Sequence, residues 1–202
     1  MFSLGTTWAA CGEVKITNFT FTPRTVTHQV DPLTTRLAVE AGGAATVKLP
    51  DVVSDGFVPT LSNVALVGGT SLTIEPSSSQ TAAKIAVTVA GEEGAAATLT
   101  AAGGTDLVFD SFTFTGATPS LLKLTGAGTV AFVDPLPFTV PAAWKSLSSV
   151  KLVNYSGLTR NGNIPVSRPL TDETGTAFRS AGISAGAASF TFQKDGLLLI
   201  FR

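Results

Sequence analysis

The sequence predicts an all-β chain folded as a parallel β-solenoid, and three observations support this fold class. Only 13% of the 202 residues are charged, about half of the usual ~25%, so Thr, Ser, Gly and Asn must supply most of the polar surface. Short apolar stretches alternate with glycine-containing turns along the chain. These stretches recur every ~20 to 27 residues, which is typical of repeats that stack into a solenoid.

The apolar stretches have the composition of β-strands. Thr and Val suit a pleated, half-exposed surface, whereas the good helix formers Glu, Lys, Gln and Arg are scarce. The repeat is clearest in the segment 105–157, where the strand centres Val108, Ala131 and Val150 follow one another at about 23 and 19 residues. We interpret these stretches as successive coils of one stack, which continues upstream through Lys15-Ile16, Leu37–Val39, Val64–Leu66 and Ile85–Val87.

The predicted strands come in pairs joined by turns. They cover 13–22, 25–30, 36–40, 45–49, 61–67, 71–75, 84–89, 97–100, 106–109, 111–115, 121–124, 130–133 and 150–155. The alternation changes phase near Thr17-Asn18, which indicates a β-bulge or bend. A corner at Asp110-Ser111 resets the phase in the same way. We therefore expect three aromatic side chains around it to point inward: Phe109, Phe112 and Phe114.

The pattern changes after Asp134, where prolines punctuate the chain. The segment 141–147 is the best helix candidate, because Pro fits the first helical turn. The stretches Ala188–Gln193 and Leu197–Phe201, separated by an Asp-Gly turn, predict a β-hairpin. We expect this hairpin to cap the open end of the solenoid, or its second strand to pair with a neighbouring subunit.

The chain is predicted to form a single all-β domain, 1–202. Residues 1–134 would hold the repeating coils, and residues 135–202 the C-terminal coil and the capping hairpin. An antiparallel β-sandwich is the alternative, since a strand every ~8–12 residues fits it as well. The two folds differ in strand direction, because sandwich neighbours pair antiparallel whereas solenoid neighbours pair in parallel one coil apart.

Composition argues against several functional classes. A net charge of −1 without a basic cluster does not favour nucleic-acid binding. Cys11 is the single cysteine and His28 the single histidine, so we expect neither an intrachain disulfide nor a histidine-based zinc site. No stretch reaches the ~18 apolar residues of a membrane span. Residues 1–12 show neither the positively charged region nor the long apolar run of a signal peptide. Export is therefore suggested only by the composition of the chain.

Few residues are candidates for chemistry. His28 lies beside Asp31, but no Gly-x-Ser-x-Gly motif accompanies it, and we interpret it as a solvated loop residue. The carboxylate pairs, which a glycosidase would need, are interpreted as turn and edge charges: Asp51/Asp55, Glu92/Glu93, Asp106/Asp110 and Asp172/Glu173. The segment Gly103–Asp106 nearly matches a calcium-binding β-roll repeat, but in a single copy. We predict no catalytic, cofactor-binding or metal-binding residue.

Two aromatic residues near the end of the repeat allow two interpretations. Trp144 and Tyr155 would suit a sugar-stacking platform if both rings were exposed. The favoured interpretation is that Trp144 fills a corner of the core beneath the short helix, since aromatic side chains bury well.

The segment Leu122–Phe132 resembles the passenger-associated repeat of autotransporter-type bacterial surface proteins. That repeat reads roughly Leu-Thr-Lys-Thr-Gly-Ala-Gly-Thr-Leu-Thr-Leu, and Thr125–Val130 match it in place. Lys123 stands one residue early, with Leu124 inserted, and the similarity covers about eleven residues. The resemblance implies a right-handed parallel β-helix on an exported surface protein, and it carries over no catalytic residues.

Three functional hypotheses follow. The first is a non-enzymatic structural or adhesive segment of an exported bacterial cell-surface β-solenoid protein, located extracellularly or at the cell surface. The second is a β-sandwich subunit of an extracellular filament or virion, assembled by strand exchange through Leu197–Phe201. The third is a carbohydrate-binding module. The expected partners are other chains of the same assembly, with glycans as a further candidate, and no cofactor, nucleic acid or membrane span is expected.

Overall fold

A computed structural model shows the chain as a parallel β-solenoid built from two sheets. It describes residues 13–16, 25–29, 36–39, 43–49, 58, 60–91, 95–179 and 181–194. Strands make up 55% of the structure, and it has almost no helix. Within the described ranges, no helix is long and apolar enough to cross a membrane.

The strands are numbered in chain order through the described residues. They are β1 (Glu13–Ile16), β2 (Thr25–Gln29), β3 (Arg36–Val39), β4 (Ala44–Lys48), β5 (Thr60–Val67), β6 (Ser71–Glu75), β7 (Ala82–Ala90), β8 (Ala97–Ala101), β9 (Asp106–Thr115), β10 (Leu122–Gly126), β11 (Thr129–Phe132), β12 (Phe138–Val140), β13 (Ser149–Asn154), β14 (Thr159–Arg160), β15 (Leu170–Asp172), β16 (Ala181–Ala185) and β17 (Ser189–Lys194). A short 3-10 helix, Ala142–Ser146, lies between β12 and β13.

Successive strands alternate between the two sheets. Sheet A has the order β1-β3-β5-β7-β9-β11-β14, and β12 also pairs with β9 and β15. Sheet B has the order β16-β17-β13-β10-β8-β6-β4-β2. Strand pairs are parallel throughout the coils, as in β7 with β9 and β8 with β10. This pairing confirms the predicted solenoid and not the sandwich alternative.

The predicted repeat holds in sheet A as far as β11. Val108 and Ala131 are direct partners on parallel strands, and Ala38 pairs in the same way with Ala65. The third centre, Val150, was placed in the wrong row, because its strand β13 lies in sheet B beside β10. After β11 the chain adds β12 and the 3-10 helix before it crosses between the sheets. The shorter interval, from Ala131 to Val150, therefore runs from one sheet to the other and is not the length of a coil.

The core lies between the two sheets and changes composition along the stack. From β4 to β8 the buried hydrophobic side chains are all aliphatic: Ala45, Val47, Leu49, Leu61, Val64, Leu66, Leu72, Ile74, Ala83, Ile85, Val87, Val89, Ala97, Leu99 and Ala101. From β9 onward aromatic side chains join them: Phe109, Phe112, Phe114, Phe138, Trp144, Tyr155, Phe178, Phe190 and Phe192. Because strand residues alternate between the core and the outside, every coil also presents an outward row.

Strand β9 contains the predicted change of phase. Phe109, Phe112 and Phe114 are all buried, so the expected inward direction of the three rings is confirmed. The pairing with β7 shifts register between Ile85 and Ala86, opposite this point. The chain makes no corner there, because β9 runs unbroken from Asp106 to Thr115. The structure has a β-bulge inside one strand where a corner was predicted. The bulge lets the aromatic side chains on both sides of it point toward the core.

The C-terminal end contains an antiparallel hairpin, one strand earlier than predicted. The stretch 188–193 does form a strand, β17, and β17 pairs antiparallel with β16 on one side and with β13 on the other. No strand was expected at Ala181–Ala185, because its Ala, Gly and Ser residues give a weak strand signal. The second predicted strand, Leu197–Phe201, lies outside the described residues.

Four further predictions also lie outside the described residues. These are the bulge near Thr17-Asn18, the absence of an intrachain disulfide at Cys11, and the carboxylate pairs Asp51/Asp55 and Glu92/Glu93.

Candidate functional site

The glycine turn that resembles the passenger repeat forms a corner between coils. A Cβ atom on Gly128 would lie 1.7 Å from the carbonyl oxygen of Thr105, and one on Gly126 would lie 2.0 Å from that of Ala101. Any side chain at these positions would therefore collide with the backbone of the preceding coil. The Thr-Gly-Ala-Gly motif has a structural explanation here, since it lets two corners stack closely.

Threonine hydroxyls close two of the corners without using charge. The Oγ1 of Thr105, a fully buried residue, donates to the carbonyl oxygen of Ala102 at 2.6 Å, and the carbonyl oxygen of Ile74 in the preceding coil lies at 3.3 Å. Thr70 repeats the arrangement and donates to the carbonyl oxygen of Val67 at 2.6 Å. Thr105 belongs to the segment that partly matches a calcium-binding repeat, and its hydroxyl is committed to the turn.

Asp172 organises the turn that follows β15. Its Oδ1 accepts hydrogen bonds from the backbone N–H of Thr174 at 3.0 Å, from the backbone N–H of Thr176 at 2.9 Å, and from the hydroxyl of Thr174 at 2.6 Å. The Thr174 hydroxyl, followed by the Thr176 backbone N–H, lowers the pKa of Asp172 below its ordinary value. A carboxylate held in this way is ionised at neutral pH and serves the turn.

Two other carboxylates connect neighbouring coils. Glu173 accepts a hydrogen bond from the backbone N–H of Ala142 at 2.6 Å, where the 3-10 helix begins. Asp134 accepts from the backbone N–H groups of Ser167 at 3.1 Å and Val166 at 3.3 Å. The paired residues are 31 to 33 positions apart in the chain. We call Asp134, Asp172 and Glu173 the carboxylate clasps.

The interpretation of Asp172 and Glu173 as turn and edge charges is confirmed by these contacts. Sequence reasoning missed Asp134. The signal that was available is the Asp-Pro step at Asp134-Pro135, since Asp side chains often bond to backbone groups in turns.

Asp106 and Asp110 lie on the same outward face of β9, as their spacing predicted. Both alternate with buried neighbours, Leu107 and Phe109. Oδ1 of Asp106 accepts a hydrogen bond from the hydroxyl of Thr129 on the next coil. This hydrogen bond links β9 to β11, so Asp106 helps to hold the two neighbouring coils together.

Trp144 and Tyr155 do not form a sugar-stacking platform, because both are buried, each with 1% exposure. The indole N–H of Trp144 donates to the carbonyl oxygen of Gly116 at 3.1 Å, and the hydroxyl of Tyr155 donates to that of Gly186 at 3.1 Å. The platform hypothesis is wrong, since neither ring face is available to a ligand. The alternative, that Trp144 fills the core beneath the short helix, is confirmed.

His28 was predicted to be a loop residue, and this was wrong. It lies on β2, in register with Val47 of β4. The strand predicted over 25–30 already covers this position, and it is the strand prediction that the structure confirms. Among the described residues, no group of three or more His, Cys, Asp or Glu side chains is placed to hold a metal ion.

The outward face of sheet B carries a row of threonines that sequence reasoning missed. The pairing places one outward threonine of each strand from β4 to β10 in register with the next: Thr46, Thr73, Thr100 and Thr125. We call this row the threonine ladder. The backbone of Thr27 on β2 pairs in register with Thr46. The hydroxyls of Thr100 and Thr125 lie 2.9 Å apart and share a hydrogen bond. The available signal was a hydroxyl residue two positions before two of these threonines, as in Ser71-Leu72-Thr73.

Sheet A has a shorter row of the same kind. Thr88, Thr113, Thr139 and Thr171 are in register from β7 to β15. The hydroxyls of Thr139 and Thr171 lie 3.4 Å apart. In contrast to the threonine ladder, this row crosses strands whose pairing shifts register, between Leu61 and Val64 and between Ile85 and Ala86.

Comparison of the chain with protein-family models, with curated proteins and with solved structures finds no match.

Proposed function

We propose that the chain is a non-enzymatic structural or adhesive segment of an exported bacterial cell-surface protein. The observation that supports this most is the use of the candidate catalytic carboxylates Asp106, Asp172 and Glu173. All three accept hydrogen bonds that hold a turn or join two coils. These carboxylates therefore stabilise the solenoid, as expected in a structural protein made of stacked coils.

The outward surfaces support the same proposal. The rows that face away from the core are formed largely by small polar side chains on regular parallel strands. Surfaces of this kind present an extended, repeating face, and solenoids use such faces for binding or display. The sequence resemblance at Leu122–Phe132 adds the expectation of a bacterial cell-surface location.

Location can be tested by proteolysis of intact source cells. Peptides from the segment 102–160 should be released by a protease that cannot enter the cells, and an antibody raised against the purified chain should label unpermeabilised cells. A cytoplasmic protein serves as the control and should be released only after lysis. Release of the chain only after lysis would contradict the surface location.

The non-catalytic role can be tested separately with the purified chain. We expect coated beads to adhere to source cells or to their isolated envelopes, and adhesion should survive replacement of Asp106 and Glu173 by Asn and Gln. Turnover of a glycan substrate that disappears in the same double variant would identify an enzyme instead.

A further inference from the structure

The loop that follows β14 contains the pair Asn161-Gly162, in which an amide side chain precedes an unhindered backbone nitrogen. Both residues are exposed and lie outside the strands and the short helix. Gly162 has a φ of +82°, in the left-handed region that favours glycine, and a Cβ atom there would meet no atom within 4 Å. The peptide bond between the two residues is therefore unshielded on this side.

No hydrogen bond within the described residues holds either of the two groups. This applies to the backbone N–H of Gly162 and to the side-chain amide of Asn161. The backbone is anchored on both sides of them instead. The N–H of Asn161 donates to the carbonyl oxygen of Val130 at 2.8 Å, and Nε of Arg160 donates to the carbonyl oxygen of Gly162 at 3.3 Å. An exposed, unbonded side chain changes rotamer rapidly, so the Asn161 amide can turn toward the nitrogen of Gly162.

We propose that Asn161 is a site of spontaneous deamidation, at which water converts the side-chain amide to a carboxylate. The backbone nitrogen of Gly162 loses its proton to solvent and attacks Cγ of Asn161, which forms a C–N bond. The amide nitrogen takes up a proton and leaves as ammonia, and a succinimide ring remains. Water then opens the ring at either carbonyl, giving aspartate or isoaspartate. The net reaction consumes one water and releases one ammonia, and it does not depend on the proposed function.

Two other asparagines of the same region provide an internal comparison. Asn163 is also exposed, but Ile164 follows it, and a β-branched side chain crowds its own backbone nitrogen. Asn154 lies in β13, where its Oδ1 accepts a hydrogen bond from the backbone N–H of Ser156 at 3.0 Å. Of these three residues, Asn161 alone combines an exposed, unbonded amide with a following glycine. We therefore expect it to react first.

The reaction would change how the loop is held against the C-terminal hairpin. Arg160 joins the two, because its Nη1 donates to the carbonyl oxygen of Ala187, in the turn between β16 and β17, at 3.2 Å. A new carboxylate at position 161 would compete for this guanidinium, since charged acceptors bind it more strongly than a carbonyl does. Isoaspartate also adds one atom to the backbone between Arg160 and Gly162 and displaces the carbonyl that Arg160 binds. The contact with Ala187 should therefore weaken as the chain ages.

Peptide mass spectrometry of the purified chain, incubated in neutral buffer below its unfolding temperature, tests the proposal. The peptide that contains Asn161 should gain one mass unit and separate into two chromatographic forms. Gly162→Ala should slow this conversion about tenfold or more, because a side chain hinders the attacking nitrogen and disfavours the backbone conformation. Asn161→Gln should abolish it, since the longer side chain would have to close a larger ring. Thermal unfolding checks that both variants fold, and Asn161→Gln keeps Gly162 if Gly162→Ala does not.

Three results would overturn the proposal. The first is an unchanged mass of the Asn161 peptide in the folded chain, and a parallel sample in urea shows whether the fold or the sequence prevents the reaction. The second is conversion of Asn163 or Asn154 as fast as that of Asn161. The third concerns the effect on Arg160. Amide protection around Ala187 should fall in the aged chain and persist in aged Asn161→Gln, so unchanged protection after full conversion would refute that effect.

Discussion

The stacked coils of the upstream region and of the C-terminal region are stabilised by different core side chains and different hydrogen bonds. From β4 to β8 the core is aliphatic, and the corners at Thr70 and Thr105 are closed by threonine hydroxyls. From β9 onward aromatic side chains join the aliphatic core, and the carboxylate clasps hold the loops. The upstream coils repeat with regular parallel strands, whereas after β11 a short strand, a 3-10 helix and an antiparallel pair interrupt the repeat, so the space between the sheets is less regular there.

The aromatic cluster explains how that space is filled. Phe190 of β17 lies 5.0 to 6.3 Å from four other rings, measured between ring centroids: Phe112, Phe132, Phe138 and Tyr155. Phe192, also on β17, contacts Trp144 and Phe178. Large rings in tilted and edge-on arrangements fill volume that aliphatic residues would leave empty. The antiparallel β16–β17 pair thus adds the aromatic residues of β17 to the core next to β13.

The largest expected effect is at the centre of this cluster. Phe190→Ala should lower the free energy of unfolding by about 3–5 kcal/mol, because it removes a fully buried ring. In a stack where each coil contacts mainly its neighbours, amide protection should fall in β13, β16 and β17 and persist in β4 to β8. Hydrogen exchange read by mass spectrometry measures both.

Leu99→Ala is the matched variant in the aliphatic part. Leu99 is fully buried in β8, and its loss should cost about 2–5 kcal/mol. Protection should fall in β6, β8 and β10. If each variant lowered amide protection across all described strands, the two regions would unfold as one cooperative unit, and the contrast between them would be wrong.

The next effect concerns the stacked corner. Gly128→Ala should destabilise the chain by about 1–3 kcal/mol or more, because the added methyl group collides with the Thr105 carbonyl and forces the two corners apart. Gly182→Ala in β16 is the control, since a Cβ there meets no atom within 4 Å. Chemical denaturation compares the two, and equal stability would argue against close stacking at Gly128.

Acid should affect the C-terminal end before the upstream coils. The folded state lowers the pKa of Asp172, so the stabilisation that it provides is present above the unfolded value of about 3.9. It is lost as the pH falls through the folded value. Thr174→Val removes the hydroxyl that contributes most to this shift and should move the loss of stability to higher pH.

Thermal unfolding between pH 7 and pH 2 measures this effect. Asp172→Asn should remove that part of the pH dependence, although it also loses the ionised acceptor and is less stable at neutral pH. An unchanged acid profile in Thr174→Val would show that the Thr174 hydroxyl does not lower the pKa of Asp172.

The smallest effect is expected on the threonine ladder. Thr100→Val keeps the branched shape that favours strands and removes one hydroxyl bond, to Thr125, at a cost of about 0.2–1 kcal/mol. Thermal unfolding of Thr100→Val, Thr125→Val and the double variant forms a thermodynamic cycle. Additive losses would show that the two hydroxyls do not stabilise the stack together.

The regular part of this fold could be predicted because its signals are local. Alternation of buried and outward residues and the spacing of glycine turns indicated the coils and the pairing of Val108 with Ala131. The position of Val150 could not be predicted from spacing, since an inserted strand and a short helix changed the length of the coil. Spacing indicates a repeat only where no insertion interrupts it.

The outward features were harder to predict because they depend on register. Thr73 and Thr100 are separate in sequence and meet only when β6 pairs with β8. The contacts of Asp134 with Val166 and Ser167 likewise bridge loops of different coils. A β-branched polar residue on an outward position has the same sequence signal whether it stands alone or in a row.

The Gly128 corner has a consequence for how the chain is built. The corner at Gly126 and Gly128 lies directly against the backbone of the corner before it, so each of the two coils provides a template for the shape of the other. Growth of the stack then resembles crystal growth by addition of layers, with each layer serving as the seed of the next. A fault in one layer would halt addition beyond it and leave the earlier layers intact, and an unfinished molecule would end in an open, adhesive sheet edge.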